Sequence, residues 1–113
     1  MLLRIKEYRT DISKLHNTRK KTLVSEEVIS ICEGYLGYTG ARENYPYENL
    51  IFVKEIKDNE ATIIMLNENE RLREELTLKL NEEVIFTHKG PRGLPFSYSY
   101  YMTLEESVWR INC

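Results

Sequence analysis

A short basic segment that contains glycine offers the clearest chemistry in this sequence. It reads His-Lys-Gly-Pro-Arg-Gly over residues 88–93, so Lys89 and Arg92 stand beside two glycines. Glycine lets backbone amides approach a phosphate closely, while lysine and arginine supply positive charge. The segment lacks the glycine spacing and the following helix of a Walker or dinucleotide motif. It therefore indicates an anion site of low specificity, and an ordinary basic hairpin loop is the alternative interpretation.

A second segment, residues 34–49, combines three glycines, one proline and four tyrosines, with Arg42 among them. Tyrosine presents a flat apolar face for base stacking and a polar hydroxyl at its tip. We expect Arg42, Lys89 and Arg92 to contact phosphate. The candidate stacking residues are Tyr35, Tyr38 and Tyr45. The alternative interpretation is that the tyrosines only anchor a long loop against the core.

Charge is distributed unevenly along the chain. The net charge is −2, but residues 1–24 carry seven Lys/Arg and two acidic residues, whereas residues 25–83 carry six Lys/Arg and fourteen acidic residues. Three consecutive cations, residues 19–21, stand in the basic part. A charge run is most often a solvated surface. It would contribute to a positive pocket if the fold brought it close to Lys89 and Arg92.

Catalytic and metal-binding patterns are missing from the sequence. His16 and His88 are the only histidines, and Cys32 and Cys113 are the only cysteines. None of them stands in a motif that positions a nucleophile, and their spacing does not suit zinc. We therefore expect no metal and no cofactor, and we rank enzyme activity third among the functional hypotheses. Two cysteines also do not resemble a secreted disulfide framework, which favours the cytoplasm.

Period-two alternation of apolar residues predicts the strands of the domain. The predicted strands cover residues 1–8, 50–57, 61–66 and 96–102, with Asp58-Asn59 as a tight turn between the second and the third. Residues 76–80 and 84–88 add two short strands or one long bent strand. In the last strand, Phe96, Tyr98 and Tyr100 would share one face, with Ser97, Ser99 and Tyr101 on the other. Residues 9–23 are interpreted as either a short irregular helix or a loop.

Two helices are predicted from capping signals. Ser25 suits an N-cap, Glu26 and Glu27 suit the first turn, and Gly34 suits the end of a central helix. Thr103 and Glu106 form a capping box that would begin a short C-terminal helix reaching residue 111.

These elements predict a single α+β domain spanning residues 1–113. It would consist of five or six short, mainly antiparallel strands with one central helix and one short C-terminal helix, in an arrangement compatible with a half-open barrel. No apolar run is long enough to span a bilayer. Short strands leave sheet edges that a second copy could pair with, so a homo-oligomer is also expected.

The leading functional hypothesis is a small cytoplasmic, non-catalytic binding protein. Its basic and tyrosine-rich loops would hold a phosphate-bearing ligand, either a nucleotide or a short nucleic acid. The alternative is a protein–protein interaction module, such as a phage-type inhibitor or adaptor, that uses an acidic and tyrosine-rich surface. An acidic surface repels nucleic acid but complements a basic protein groove. The composition, rich in isoleucine, asparagine and tyrosine and poor in alanine, fits a bacterial or phage source.

Overall fold

The computed structural model describes residues 1–13, 15–39, 49–67, 72–89 and 96–106. These residues form eight β-strands and no helix. The strands are β1 (Leu2–Ser13), β2 (Thr18–Ser30), β3 (Leu36–Thr39), β4 (Asn49–Lys57), β5 (Glu60–Asn67), β6 (Leu72–Lys79), β7 (Glu83–Lys89) and β8 (Phe96–Glu105).

The strands are arranged in two four-stranded antiparallel sheets. The first sheet has the order β2-β1-β8-β7 and the second has the order β3-β4-β5-β6. Both sheets contribute to one hydrophobic core, so the fold is a sandwich of two sheets. A backbone bridge between Leu80 and Leu104 joins the sheets at one end, where the Asn81 N–H donates to the Leu104 carbonyl at 2.8 Å.

Alternation along the strands decides which residues enter this core. In β8 every second residue is buried, and the half-buried residues between them face outward. In β1 the same alternation buries Leu3 and Ile5. The apolar residues that are at most 2% exposed include Leu3, Ile5, Ile31, Ile51, Val53, Ile63, Met65, Leu78, Phe86, Met102 and Leu104. In β1 and β8 one face therefore meets the core and the other faces outward, whereas β5 buries the three consecutive residues Ile63, Ile64 and Met65.

A long hairpin formed by β1 and β2 extends beyond the core. All residues from Thr18 to Val24 are exposed, and Asn17 in the connecting turn has a φ of 49°. The molecule measures 51 × 25 × 23 Å along its principal axes. An irregularity in the pairing lies inside this hairpin, because Glu7 pairs with Ser25 whereas Tyr8 pairs with Leu23. Val24 is therefore an extra residue on β2, which is the defining feature of a β-bulge.

The α+β prediction is wrong for the described residues. Ser25 and Glu27, predicted to begin a central helix, lie in β2, where Ser25 pairs with Glu7 of β1. Their backbone groups find partners across a sheet, so the local capping signals are overridden by pairing that is distant in sequence. Thr103 continues β8 and does not cap a helix, and residues 107–111 lie outside the described residues. The segment left open as a helix or a loop, residues 9–23, forms most of the β1–β2 hairpin.

Several strand predictions are confirmed. The predicted strands at 50–57 and 61–66 correspond to β4 and β5, which pair as an antiparallel hairpin. Asp58 and Asn59 form the turn between them, with φ values of 53° and 63°. Positive φ at both central residues is the signature of a type I′ turn. None of the described residues belongs to a helix of the length and apolar character needed to cross a membrane.

The cysteines depart from the sequence-based expectation. Cys32, which follows β2, is disulfide-bonded in the structure. The sequence contains one other cysteine, Cys113, which lies outside the described residues. A disulfide bond is uncommon in a reducing compartment. Cysteine usage therefore does not by itself favour the cytoplasm.

Candidate functional site

Two of the six predicted ligand-binding residues are described in full, and they face opposite sides of the second sheet. Tyr35 is half-buried and packs against the core, with its carbonyl accepting a hydrogen bond from the Val53 N–H at 2.9 Å. Tyr38 lies on β3, opposite Leu50 of β4, and is 63% exposed. The two rings therefore do not line one common site.

The other four predicted residues are described partly or not at all. Arg42, Tyr45 and Arg92 lie outside the described residues, and Lys89 is described in its backbone but not in its side chain. A joint site of the six residues stays a prediction.

The strand ends that flank the two predicted loops lie at the same end of the sandwich. The Leu80–Leu104 bridge marks where β6 and β8 finish, so their first residues, Leu72 and Phe96, lie at the far end. Leu72 pairs with Asn67 of β5, beside the start of β4 at Asn49. Residues 40–48 and 90–95 are thus bounded by strands that end on the same side of the molecule.

A cross-strand row joins two of the basic segments noted in the sequence. Lys21 pairs with Thr10, Thr10 pairs with Ser97, and Ser97 pairs with the backbone of Lys89. Residues directly opposite each other in antiparallel strands share a face of the sheet. Lys21 and the backbone of Lys89 are three strand spacings apart, which corresponds to about 14 Å. The row lies on the outer face of the first sheet, which is the face turned away from the core.

Next to this row, Lys21 lies over two tyrosine rings. Its Nζ atom is 4.4 Å from the ring centroid of Tyr8 and 4.0 Å from that of Tyr101. It also donates a hydrogen bond to the Tyr101 hydroxyl oxygen. The two rings meet edge to face with centroids 5.0 Å apart. Lys21, Tyr8 and Tyr101 come from β2, β1 and β8, so pairing of three strands is needed to assemble them.

We call the outer surface around this cluster the tyrosine–lysine face, and define it by Lys21, Tyr8, Tyr101, Thr10 and Ser99. Tyr8 pairs directly with Ser99, so a hydroxyl stands beside the ring. The face combines aromatic rings, hydroxyl groups and a cation on a flat sheet surface. These are the groups that bind bases and phosphates in single-stranded nucleic-acid sites.

An ion-pair network borders the tyrosine–lysine face on the side away from the hairpin turn. Arg4 Nε donates to Glu105 Oε1 at 2.7 Å, and Arg4 Nη1 donates to Glu26 Oε1 at 2.7 Å. The hydrogen bond with Glu105, followed by that with Glu26, raises the pKa of Arg4 above its usual range. The network connects β1, β2 and β8, the same three strands that carry the cluster. It therefore helps to fix their relative positions.

Further cations lie along the exposed part of the hairpin. Arg19 and Lys20 are exposed and precede Lys21 on β2. Arg9 on β1 lies over the Phe96 ring, 4.1 Å from its centroid, and its Nε atom is 3.0 Å from Asp11 Oδ1. The described part of the hairpin beyond the bulge thus has more cations than carboxylates. This position suits attraction of an anion towards the tyrosine–lysine face.

Acidic residues, on which the alternative hypothesis depends, lie away from the tyrosine–lysine face. Glu55, Asp58 and Glu60 line a cavity of about 210 Å³ at the β4–β5 turn, together with Lys57 and Thr62. Within the described ranges, no group of three or more His, Cys, Asp and Glu residues could hold a metal ion. The cavity is therefore an acidic surface feature at the opposite end from the hairpin.

The sequence interpretation did not single out Tyr8 or Tyr101 as ligand-binding residues, although one signal was present. Tyr101 was placed on the face of the last strand opposite Tyr98 and Tyr100, and burial confirms this, because Tyr98 and Tyr100 are in the core. The approach of Lys21 to Tyr101 depends on strands 80 positions apart in the chain. Sequence periodicity contains no information about that approach.

Comparison with known proteins finds no matching family, no matching curated protein and no matching solved structure. The function is therefore inferred from the geometry of the chain itself.

Proposed function

We propose that this protein binds single-stranded nucleic acid on the tyrosine–lysine face of its first sheet. One observation carries the proposal: Lys21 lies over Tyr8 and Tyr101, in a cross-strand row that continues to the backbone of Lys89. The phosphate contacts expected from the sequence at Arg42, Lys89 and Arg92 stay a prediction beside it.

The chemistry of the face supports a single strand over a duplex. Bases in a duplex are stacked on one another, whereas the unpaired bases of a single strand can stack on aromatic side chains. In the free protein the ammonium group of Lys21 lies over both rings. A base that stacks there displaces this group towards the neighbouring phosphate, where it gains a charge-assisted hydrogen bond. The ring and the cation then act on the same nucleotide.

Binding of a fluorescein-labelled 20-nucleotide single strand, followed by fluorescence anisotropy, tests the proposal. Tyr101→Ala removes one stacking surface, so we expect affinity to fall by roughly 5- to 150-fold, corresponding to about 1–3 kcal/mol. Tyr101→Phe keeps the ring and should keep most of the affinity. Tyr38→Ala is the matched control, because Tyr38 is an exposed tyrosine on the other sheet.

Two results of this experiment would contradict the proposal, provided that the variants are folded. Far-UV circular dichroism and urea unfolding first establish that each variant folds. If folded wild-type protein does not bind the strand, or if Tyr101→Ala and Tyr38→Ala weaken binding equally, the tyrosine–lysine face is not the site.

A second candidate function, binding to a protein partner, is favoured by the outer face of the second sheet. Leu36 and Tyr38 on the edge strand β3 are 62% and 63% exposed. They pair with Phe52 and Leu50 of β4, which are half-buried, so four apolar side chains lie together. An exposed apolar group of this kind suits a protein interface. A stoichiometric partner that is lost with Tyr38→Asp and retained with Tyr101→Ala would support this function.

A cytoplasmic location is part of the same proposal, since nucleic acid is abundant there. The disulfide at Cys32 makes the location testable. Alkylation of free thiols in intact producing cells should label Cys32 if the protein resides in a reducing compartment. Protection of Cys32 from alkylation would contradict a cytoplasmic location.

A further inference from the structure

The outer edge of β2 is long, exposed and unpaired. Among the described residues, β2 pairs only with β1 and stands at the end of the first sheet. Three large apolar side chains along it are exposed: Leu23 at 49%, Val24 at 42% and Val28 at 47%. Because the N–H and C=O groups of an edge strand are free to pair with another strand, such an edge needs either protection or a partner.

The charges along this edge complement those of a second copy. Residues 20–27 read Lys-Lys-Thr-Leu-Val-Ser-Glu-Glu, so reversing the direction exchanges the cations for the anions. In an antiparallel pair of β2 strands centred between Leu23 and Val24, Lys20 faces Glu27 and Lys21 faces Glu26. A parallel pair in equivalent register would place like charges together. The sequence of the edge therefore favours one orientation and one register.

The β-bulge allows the two residues of each charge pair to lie on the same face of the sheet. In a regular strand, Lys21 and Glu26 would point to opposite faces, because five positions separate them. The extra residue Val24 reverses the alternation, since Lys21 pairs with Thr10 and Glu26 pairs with Lys6. Thr10 and Lys6 are four positions apart on β1, so Lys21 and Glu26 share the outer face.

The bulge has the same effect on the inner face. Lys20 pairs with Asp11 and Glu27 pairs with Ile5. Asp11 and Ile5 are six positions apart on β1, so Lys20 and Glu27 also share a face. Both contacts are then compatible with one two-fold axis perpendicular to the sheet. Within the chain, Glu26 also pairs with Arg4 and Lys21 also lies over Tyr8 and Tyr101, so the test of the interface uses Lys20 and Glu27.

We propose that two copies of this chain dimerise through antiparallel pairing of their β2 edges, forming one continuous eight-stranded sheet. The perpendicular axis keeps the two outer faces on the same side, so the two tyrosine–lysine faces lie next to each other. The proposal does not depend on the proposed function, because it concerns the edge of the sheet and is tested without any ligand.

Sedimentation equilibrium over a range of protein concentrations, at low and high salt, tests the dimer. Wild-type protein should dimerise, and its dissociation constant should increase with salt because the charge pairs are exposed. Lys20→Glu and Glu27→Lys are the informative variants, since each places like charges opposite each other twice in the homodimer. Each variant alone should weaken dimerisation by roughly tenfold or more.

Mixing the two variants provides the decisive arm of the experiment. In a heterodimer of a Lys20→Glu chain and a Glu27→Lys chain, each of the two contacts places a glutamate opposite a lysine. The mixture should therefore recover the association that each variant alone has lost. Lys57→Glu is the control for a change of charge, because Lys57 is exposed and lies at the β4–β5 turn. It should leave dimerisation unchanged.

Three results would overturn the proposal. They are a wild-type protein that remains monomeric at all concentrations, a dimer that both edge variants leave unchanged, and a dimer that disappears on reduction with dithiothreitol. The first would show that the bulge and the charges protect the edge from pairing. The last would show that the dimer is linked by a disulfide bond.

Discussion

At the scale of single residues, the requirement for glycine at position 37 comes from the neighbouring Tyr35 side chain and not from the backbone conformation of Gly37. A Cβ atom added at Gly37 would clash with the hydroxyl oxygen and ring carbons of Tyr35, and the φ of Gly37 is not positive. Tyr35, which the sequence predicted as a stacking residue, covers this glycine and packs against the core. Because an alanine at position 37 would fit the backbone but not the ring, the two residues should be energetically coupled.

Gly37→Ala should lower the free energy of unfolding by about 1 kcal/mol or more, because the Tyr35 ring must move away. In a Tyr35→Ala background the same substitution should cost little, since the obstacle has been removed. A double-mutant cycle measured by urea denaturation gives the coupling energy. Equal cost in both backgrounds would mean that Tyr35 does not occupy the space above Gly37.

The orientation of side chains on a strand could be predicted from the sequence better than their contacts with other strands. The alternation of Phe96, Tyr98 and Tyr100 predicted one face of the last strand correctly, and all three are buried. The contact of Lys21 with Tyr8 and Tyr101 could not be foreseen, because it depends on the register of three strands. Local pattern predicts which way a side chain faces, but not what it meets there.

At the scale of elements, the β4–β5 hairpin shows where sequence is sufficient. Both its strands are rich in β-branched and other large apolar residues, and its turn contains Asp58-Asn59, a pair that tolerates positive φ. Hydrogen bonds within the hairpin are formed between residues close in sequence. Local propensity and the final structure therefore agree here.

Substitutions at Asn59, whose φ is 63°, should report directly on this turn. Asn59→Gly should raise the free energy of unfolding by about 0.5 kcal/mol, because glycine adopts positive φ without steric cost. Asn59→Val should lower it by about 1–2 kcal/mol, since a β-branched residue is strained there. Thermal unfolding of the two variants checks the order. Equal stability of the valine and glycine variants would contradict a type I′ turn.

The β1–β2 hairpin shows where sequence is insufficient. Ser25, Glu26 and Glu27 satisfy the local rules for a helix N-terminus, yet they belong to β2. The β-branched residues that follow, Val28 and Ile29, suit a strand equally well. The decision comes from β1, whose residues pair with this segment from 18 positions away, for Glu7 with Ser25, to 26 positions away, for Leu3 with Ile29.

At the scale of the whole molecule, the order of the strands is the feature that sequence periodicity cannot supply. The first strand, β1, lies between β2 and the last strand, β8, so Leu2 pairs with Glu105. The sequence predicted mainly antiparallel strands, which is confirmed, but underestimated their number and added helices. Packing of one sheet on the other also explains why alternate residues of β8 are buried in the core.

The net charge of −2 conceals a separation of positive and negative charges along the molecule. Exposed cations Arg19, Lys20 and Lys21 lie on the projecting hairpin, whereas Glu55 and Asp58 lie at the opposite end. A phosphate chain approaching the hairpin therefore meets positive charge before the acidic residues. This separation allows a protein with a negative total charge to bind an anion locally.

The most direct test of nucleic-acid binding is the salt dependence of affinity for a single strand. Wild-type protein should show a linear decrease of the logarithm of the association constant with the logarithm of salt concentration. Lys21→Ala should reduce that slope by about 0.7, the value for one phosphate contact on a single strand, whereas Lys57→Ala should leave it unchanged. A wild-type slope of zero, or equal slopes for wild type and Lys21→Ala, would contradict phosphate binding at the tyrosine–lysine face.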